Sequence, residues 1–165
     1  MWLLTSLEGP NCGKKCYSVK TRQFLHETFV ENWKAQIFYS PKSINYRIYK
    51  TEFGLEKYLS VLPPDLMYNI IKLRCGNQKL KIEAGRFFTI DRSERICDLC
   101  DKEQLGDEFH IFNWNVCSAE RHEFIPVHIY NDSNIISLSE IMNSHDKYTL
   151  VGLAKFCKIV MSVFK

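Results

Sequence analysis

Four potential metal ligands lie within a short stretch of this chain, in the order Cys97-x2-Cys100-x9-His110-x6-Cys117. A Cys-x2-Cys pair can direct both sulfurs at one ion, and structural zinc sites are closed tetrahedra of thiolates and imidazoles. The spacing therefore predicts one structural Zn²⁺ bound by Cys97, Cys100, His110 and Cys117. Because the protein would supply all four ligands, we expect no open position for a catalytic water.

The sequence leaves other assignments of these residues open. His122 or His128 could replace His110 or Cys117 as a ligand. The cysteines could also be unrelated reduced thiols, since cysteine is common in protein interiors. The chain has seven cysteines, an odd number, and begins without the pattern of a secretory signal. In that setting close cysteine spacing favours metal binding over a disulfide framework.

The same features predict where the protein resides. No run of about 18 apolar residues is present, so no membrane span and no membrane partner are expected. The absence of a signal-like pattern predicts an intracellular protein, nuclear or cytoplasmic, that is not secreted.

Hydrophobic periodicity predicts a mainly α, small helical domain with an embedded Cys3His zinc knuckle and little sheet. Residues 1–20 are expected to form an irregular leader and residues 21–165 a single helical domain. That domain would contain the zinc knuckle at 95–121 and a C-terminal docking helix at 147–164. Two apolar stripes carry the prediction: Leu25, Phe29, Trp33 and Ile37 in the first helix, and Leu150, Leu153, Cys157, Met161 and Phe164 in the last.

Basic residues are concentrated just before the Cys/His cluster. Residues 70–100 hold seven basic and four acidic side chains, whereas residues 101–146 hold two basic and nine acidic ones. A local positive excess can bind the phosphates of nucleic acid, although a solvated face without a ligand is the alternative interpretation. The candidate nucleic-acid contacts are Lys72, Arg74, Lys79, Lys81, Arg86, Arg92 and Arg95.

Two adjacent aromatic residues, Phe87 and Phe88, lie inside this basic segment. Exposed rings can stack on unpaired bases of single-stranded RNA or DNA. Core packing is the alternative, because adjacent phenylalanines commonly face the interior in part. The sequence does not decide between the two.

From Ser43 to the C-terminus, an ordered series of short motifs resembles the C-terminal zinc-binding segment of LINE-like, non-LTR retrotransposon reverse transcriptase polyproteins. The motifs are Ser43-Ile-Asn-Tyr-Arg-Ile-Tyr-Lys, Glu56-Lys-Tyr-Leu, Ile71-Lys-Leu-Arg-Cys-Gly-Asn, Lys81-Ile-Glu-Ala-Gly-Arg, Arg95-Ile-Cys-Asp-Leu-Cys, Gly106-Asp-Glu-Phe-His and Cys117-x3-Arg121. The resemblance implies that Cys97, Cys100, His110 and Cys117 are the zinc ligands. It also implies that basic positions near Arg74, Arg86 and Arg95 hold the template RNA or target DNA.

The motifs of a polymerase palm (Tyr/Phe-x-Asp-Asp) and of a restriction-type nuclease are not found in the sequence. We therefore expect a detached piece of a reverse transcriptase polyprotein that is not catalytic by itself. Its predicted activity is zinc-stabilised binding of single-stranded RNA or DNA, with the rest of such a polyprotein as a further partner. The alternative is an inert or structural remnant with no selected activity. The oligomeric state cannot be predicted.

Overall fold

The structure, a computed structural model, describes residues 13–76, 78–101, 103–130 and 135–164. The chain divides into two compact units, Met1–Tyr39 and Ser40–Lys165. The described part of the first unit is one helix, α1, which spans Gly13–Tyr39.

Helix α1 begins earlier than the sequence analysis expected. Residues 13–20 are helical, where an irregular leader was predicted, and residues 1–12 of that leader lie outside the described residues. The physical reason is local, because no proline or glycine follows Gly13 within the helix, so nothing interrupts the backbone hydrogen bonds before Tyr39.

The second unit is built from short helices and one long one. Among the described residues, no helix is both long enough and apolar enough to cross a bilayer. The helices of this unit are α2 Tyr46–Tyr49, α3 Tyr58–Val61, α4 Pro64–Arg74, α5 Lys81–Phe87, α6 Glu108–Asn113, α7 Ser118–Phe124, α8 Leu138–Met142 and α9 Lys147–Val163.

Helix α9 is the centre of the core of the second unit. It packs against α4 and α7 and also contacts α3 and α8. Leu150, Leu153 and Phe156 of α9 are fully buried, and the Phe156 ring lies 5.4 Å from the Phe112 ring of α6. Within the described residues, extended pairing is limited to two isolated antiparallel bridges. The prediction of a mainly α fold with little sheet is confirmed.

Residues 44–50 alternate weakly in hydropathy, a pattern typical of an extended segment, yet residues Tyr46–Tyr49 form one helical turn. Tyr49 is buried, and its ring lies 4.7 Å below the Arg74 guanidinium. The turn places Tyr46 and Tyr49 on the same side, with ring centroids 5.6 Å apart. Long-range packing on Arg74 therefore overrides the weak local preference.

Candidate metal centre and basic surface

The two closely spaced cysteines lie in a hairpin-like loop. The Gly106 N–H donates to the Arg95 carbonyl (2.9 Å), and an isolated antiparallel bridge continues the pairing. The Cys97 N–H donates to the Gln104 carbonyl (2.9 Å). The Ile82 N–H donates to the Gly106 carbonyl (3.0 Å), which joins the loop to α5. Both ends of the loop are therefore held while its turn carries the sulfurs.

This loop and α6 bring three candidate ligands together. The ligand atoms of Cys97, Cys100 and His110 all lie within 4.8 Å of one another. The Cys100 Sγ and the His110 Nε2 are 3.3 Å apart. Cys97 and His110 are buried and Cys100 is half-buried. Two sulfurs and one imidazole nitrogen converge, so this group could hold a metal ion.

His110 is oriented by two neighbours. The Asp107 carboxylate caps α6 by accepting from the backbone N–H of His110 (3.1 Å). The Gln104 Oε1 lies 3.1 Å from the His110 Nδ1. If Nδ1 donates its proton to Gln104, Nε2 presents a lone pair to a metal on the side of Cys100. The sequence contains no signal that singles out Gln104, because its role depends on the fold of the loop.

Glu108, next to the cap, is a buried carboxylate with amide partners. It accepts from the Gln78 Nε2 (2.9 Å) and from the Asn45 side chain. Burial raises the pKa of the Glu108 carboxyl, and the Asp107 carboxylate adds to the rise, whereas the Asn45 hydrogen bond opposes it. These contacts tie the start of α6 to the segment before α2.

Cys117, the fourth predicted ligand, is not part of the three-residue group. It precedes α7, at the N-cap position, and is 2% exposed. Burial raises the pKa of the Cys117 thiol, and the Glu120 carboxylate adds to the rise, whereas Arg121 opposes it. Burial also raises the pKa of the Cys97 thiol.

The alternative ligands are not in the group either. His122 is exposed, its Nδ1–H donates to the Ser118 carbonyl (2.6 Å), and its ring stacks on the Tyr130 ring at 5.5 Å. His128 is likewise exposed. Neither histidine replaces His110 in the structure.

Arg95, a predicted nucleic-acid contact, is used inside the protein. Its Nε and one terminal nitrogen donate to the Ile90 carbonyl (3.0 and 2.8 Å), and its other terminal nitrogen donates to the Ile82 carbonyl (2.9 Å). A Cβ at Gly85 would lie 2.7 Å from the Arg95 Cγ, so glycine there leaves room for this side chain. Through these three bonds Arg95 supports the loop that carries Cys97 and Cys100, here called the metal loop. Its contact with phosphate stays a prediction.

Arg74, a second predicted contact, is buried. Its side chain is 1% exposed and pairs with the Glu56 carboxylate (2.9 Å). It also donates to the Met142 carbonyl (2.8 Å), and the rings of Tyr49 and Tyr58 surround it. The burial of Arg74 speaks against its prediction as a phosphate contact, because Glu56 and the tyrosine rings enclose the guanidinium.

The other five predicted basic contacts remain at least partly accessible. Lys72 lies 4.7 Å over the Tyr68 ring, and Lys81 pairs with Asp98 (2.6 Å). Lys79 is exposed and makes no ion pair with any residue that the structure describes. The remaining two are Arg86, which pairs with Glu83 (3.1 Å), and Arg92, whose distance to Asp107 is 3.8 Å.

Sequence reasoning missed one basic residue, Lys42, which is exposed and distant in sequence from the segment 72–95. Lys42 lines a small depression together with Arg86 and Arg92. No local pattern could have found it, because only the tertiary fold brings residue 42 beside α5.

Phe87 and Phe88 are directed into solvent at the end of α5. Their exposed fractions are 78% and 75%. The Arg86 guanidinium lies 5.1 Å over the Phe87 ring. The alternative interpretation, that the pair packs into the core, therefore fails for these two rings.

Comparison with protein-family models, with characterised proteins and with solved structures found no match to this chain.

Proposed function

We propose that this chain is a zinc-stabilised module that binds single-stranded nucleic acid, derived from the C-terminal part of a non-LTR retrotransposon reverse transcriptase and non-catalytic by itself. The observation that carries the proposal is the exposed Phe87–Phe88 pair, which lies beside accessible cations. Two large apolar rings in water are costly to keep exposed, and such patches mark interaction sites.

Zinc is the metal that suits the donor set. Thiolates and imidazole favour zinc over hard cations, and a closed structural site takes four such ligands. Cys97, Cys100 and His110 supply three. Cys117, a buried thiol just after the loop that follows α6, is the proposed fourth ligand. The proposal is supported by the donor chemistry and by the spacing in the sequence.

The zinc proposal is tested by metal content and by cysteine variants. We expect one zinc per chain, lost in Cys100→Ser and in Cys117→Ser. Cys75→Ser is the matched control, because Cys75 is exposed and outside the group, and it should retain zinc. If zinc is lost in Cys100→Ser but fully retained in Cys117→Ser, the protein supplies only three zinc ligands. A chain without zinc after growth in zinc-supplemented medium would contradict the proposal.

Nucleic-acid binding is supported by the combination of rings and cations. Stacking of bases on aromatic side chains contributes about 1–3 kcal/mol per base and tolerates any sequence. Lysine and arginine side chains supply the salt-dependent attraction to phosphate. Arg86 and Arg92 line one depression, and Lys79 and Lys81 line a separate groove. In the sequence, cations therefore both precede and follow the two phenylalanines.

The binding proposal is tested by fluorescence anisotropy with single-stranded RNA and DNA. Affinity should fall steeply between about 50 and 200 mM salt. The double variant Phe87→Ala/Phe88→Ala should lose about 1–3 kcal/mol per stacked base. The double variant Arg86→Ala/Arg92→Ala should reduce the salt slope by about two.

A variant with the same loss of charge serves as the control. Lys147→Ala/Lys158→Ala removes two exposed cations of α9 and should leave the affinity close to that of the wild type. The proposal is contradicted if the affinity changes neither with salt nor in Arg86→Ala/Arg92→Ala nor in Phe87→Ala/Phe88→Ala. That outcome would favour the alternative of an inert or structural remnant.

A further inference from the structure

The second unit carries a surface groove whose apolar walls are not used by the proposed function. A groove of about 220 Å³ opens between α5, the metal loop and the end of α9. Its apolar walls come from Ala84, Leu99, Val163 and Phe164, and its polar lining from Lys79, Lys81 and Asp98. The groove is smaller than the roughly 300 Å³ at which pockets for drug-sized ligands begin, so a single planar ring system fits it.

Helical spacing predicts that the groove and the exposed rings lie on one side of α5. Ala84 lines the groove, and Phe87 and Phe88 follow it by three and four residues. Residues at these spacings are neighbours on a helix surface. Four residues advance a helix by roughly 6 Å, which exceeds the 3.4 Å rise between stacked nucleotides of one duplex strand. Two bases on these two positions would therefore be unstacked from each other.

Charge around the groove favours a phosphate-bearing ligand. Lys79 is exposed and has no ion-pair partner within the part of the chain that the structure describes. Lys81 is paired with Asp98, whose side chain is exposed, whereas the Lys81 side chain is half-buried. An ion pair at the surface is weak, so a phosphate can compete with Asp98 for Lys81.

From these observations we infer that the groove is a nucleobase subsite: one base of a single strand inserts against Ala84 and Leu99 while its neighbour stacks on Phe88. Lys79 and Lys81 neutralise the phosphates of that nucleotide step. The inference rests on the proposed function and deepens it, because it assigns two adjacent nucleotides to two different surfaces. Unpaired bases are required, since a base in a duplex cannot enter the groove.

The experiment fills the groove without changing charge. Ala84→Leu adds carbon at the groove wall and keeps a good helix former in α5. Ala119→Leu, at an exposed position of α7 outside the groove, is the matched control. Oligo(U) and oligo(dT) of about twelve nucleotides, within the ~4–16-nucleotide sites of known single-strand binders, carry one photoreactive thiobase. Binding is measured by anisotropy and contacts by cross-linking with mass spectrometry.

We expect Ala84→Leu to weaken binding about 5- to 150-fold, the factor that corresponds to loss of one bound base. Cross-links to peptides containing Leu99 and Phe164 should disappear in Ala84→Leu, while cross-links to Phe88 persist. Ala119→Leu should behave as the wild type.

Two results overturn the inference in distinguishable ways. If Ala84→Leu binds as tightly as the wild type while Phe87→Ala/Phe88→Ala does not, the groove is not a base subsite and the proposed function stands. If the wild type binds neither oligonucleotide at low salt, the proposed function and the inference fail together. Circular dichroism and metal content of Ala84→Leu establish that the variant is folded.

Discussion

At the scale of single residues, three glycines occupy positions that a residue with a side chain would disturb. Gly106 leaves room for the Lys81 side chain, since a Cβ there would lie 2.8 Å from the Lys81 Cβ. Gly76 has a φ of +58°, a conformation that costs other residues about 1 kcal/mol or more. Gly152 has the tightest such contact, because a Cβ would lie 2.0 Å from the Phe124 carbonyl oxygen. Helices α9 and α7 thus meet at a point where no side chain fits.

Gly152→Ala should destabilise the protein by about 1–3 kcal/mol, because the added methyl group must push α9 away from α7. The measurement is the free energy of unfolding by denaturant. Gly54→Ala is the control, since a Cβ at Gly54 has no atom within 4 Å, and its effect should be within about 0.5 kcal/mol. Equal stability of the two variants would contradict the close approach of the helices.

Asp146 should make the stability fall in acid. Its carboxylate accepts from the backbone N–H (2.7 Å) and the hydroxyl (2.8 Å) of Thr149, and these bonds lower the pKa of the carboxyl. Because the pKa in the folded state lies below the ordinary value of about 3.9, the contribution is present above that value. It is lost as the pH falls through the lowered pKa.

We therefore expect Asp146→Asn to lose less stability than the wild type between neutral and acid pH, measured by denaturant unfolding across that range. Thr149→Val, which keeps the shape of this buried side chain but removes the hydroxyl donor, should show an intermediate pH dependence. If the free energy of unfolding falls with pH equally in the wild type and in Asp146→Asn, this account of the helix cap is contradicted.

At the scale of helices, α5 and α9 represent two ways to form a stable element. Helix α5 has seven residues, too few for an isolated helix in water. It is held by burial of Leu80 and Ile82 and by the Gly106 carbonyl. Helix α9 has 17 residues, and its buried face is wider than the apolar stripe of the sequence, since Ala154, Phe156 and Val160 are also buried.

Leu153 is completely buried at the centre of α9, so its truncation tests how α9 docks. Leu153→Ala should cost about 2–5 kcal/mol, the range for a buried leucine that leaves a cavity. Leu55→Ala is the control, because Leu55 is 79% exposed. Chemical denaturation gives both values. A loss below about 0.5 kcal/mol at Leu153 would mean that α9 is not docked in solution.

At the scale of the whole second unit, the metal loop is attached at the edge of the core. The loop bonds to α5 through Gly106, and α6 follows it directly. Helix α9 packs on α4, and the buried residues Ile70, Leu73 and Leu153 of these two helices do not belong to the metal group. We therefore expect the packing between α4 and α9 to depend little on the loop.

Removal of the proposed zinc should unfold the loop and leave the core. Structural zinc contributes on the order of 10–16 kcal/mol of apparent binding energy in small finger peptides, far more than a short loop has by itself. With a chelator or in Cys100→Ser, hydrogen exchange should accelerate across residues 95–106, whereas α6 is also held by the packing of Phe112 on Phe156. Protection in α4 and α9 should persist. Equal loss of protection in α9 would show that the metal supports the whole unit.

Features that depend on neighbours along the chain could be predicted from the sequence. Helical periodicity predicted a mainly α fold with little sheet. The spacing of Cys97, Cys100 and His110 predicted a cluster that the structure brings together. Such features follow from local sequence because a helix cap or a Cys-x2-Cys turn involves only a few consecutive residues.

Which side chains face water depends on the packing of distant segments and could not be predicted from the sequence. Arg74 looks like a surface cation in the sequence, but its partners Glu56 and Met142 lie 18 and 68 residues away and enclose it. For Phe87 and Phe88 the sequence left stacking and core packing open, and the structure exposes both rings. Burial is set by contacts between segments that are distant in the sequence. Helix α5 has only seven residues, so its hydrophobic pattern is too short to predict which of its sides the rest of the protein covers.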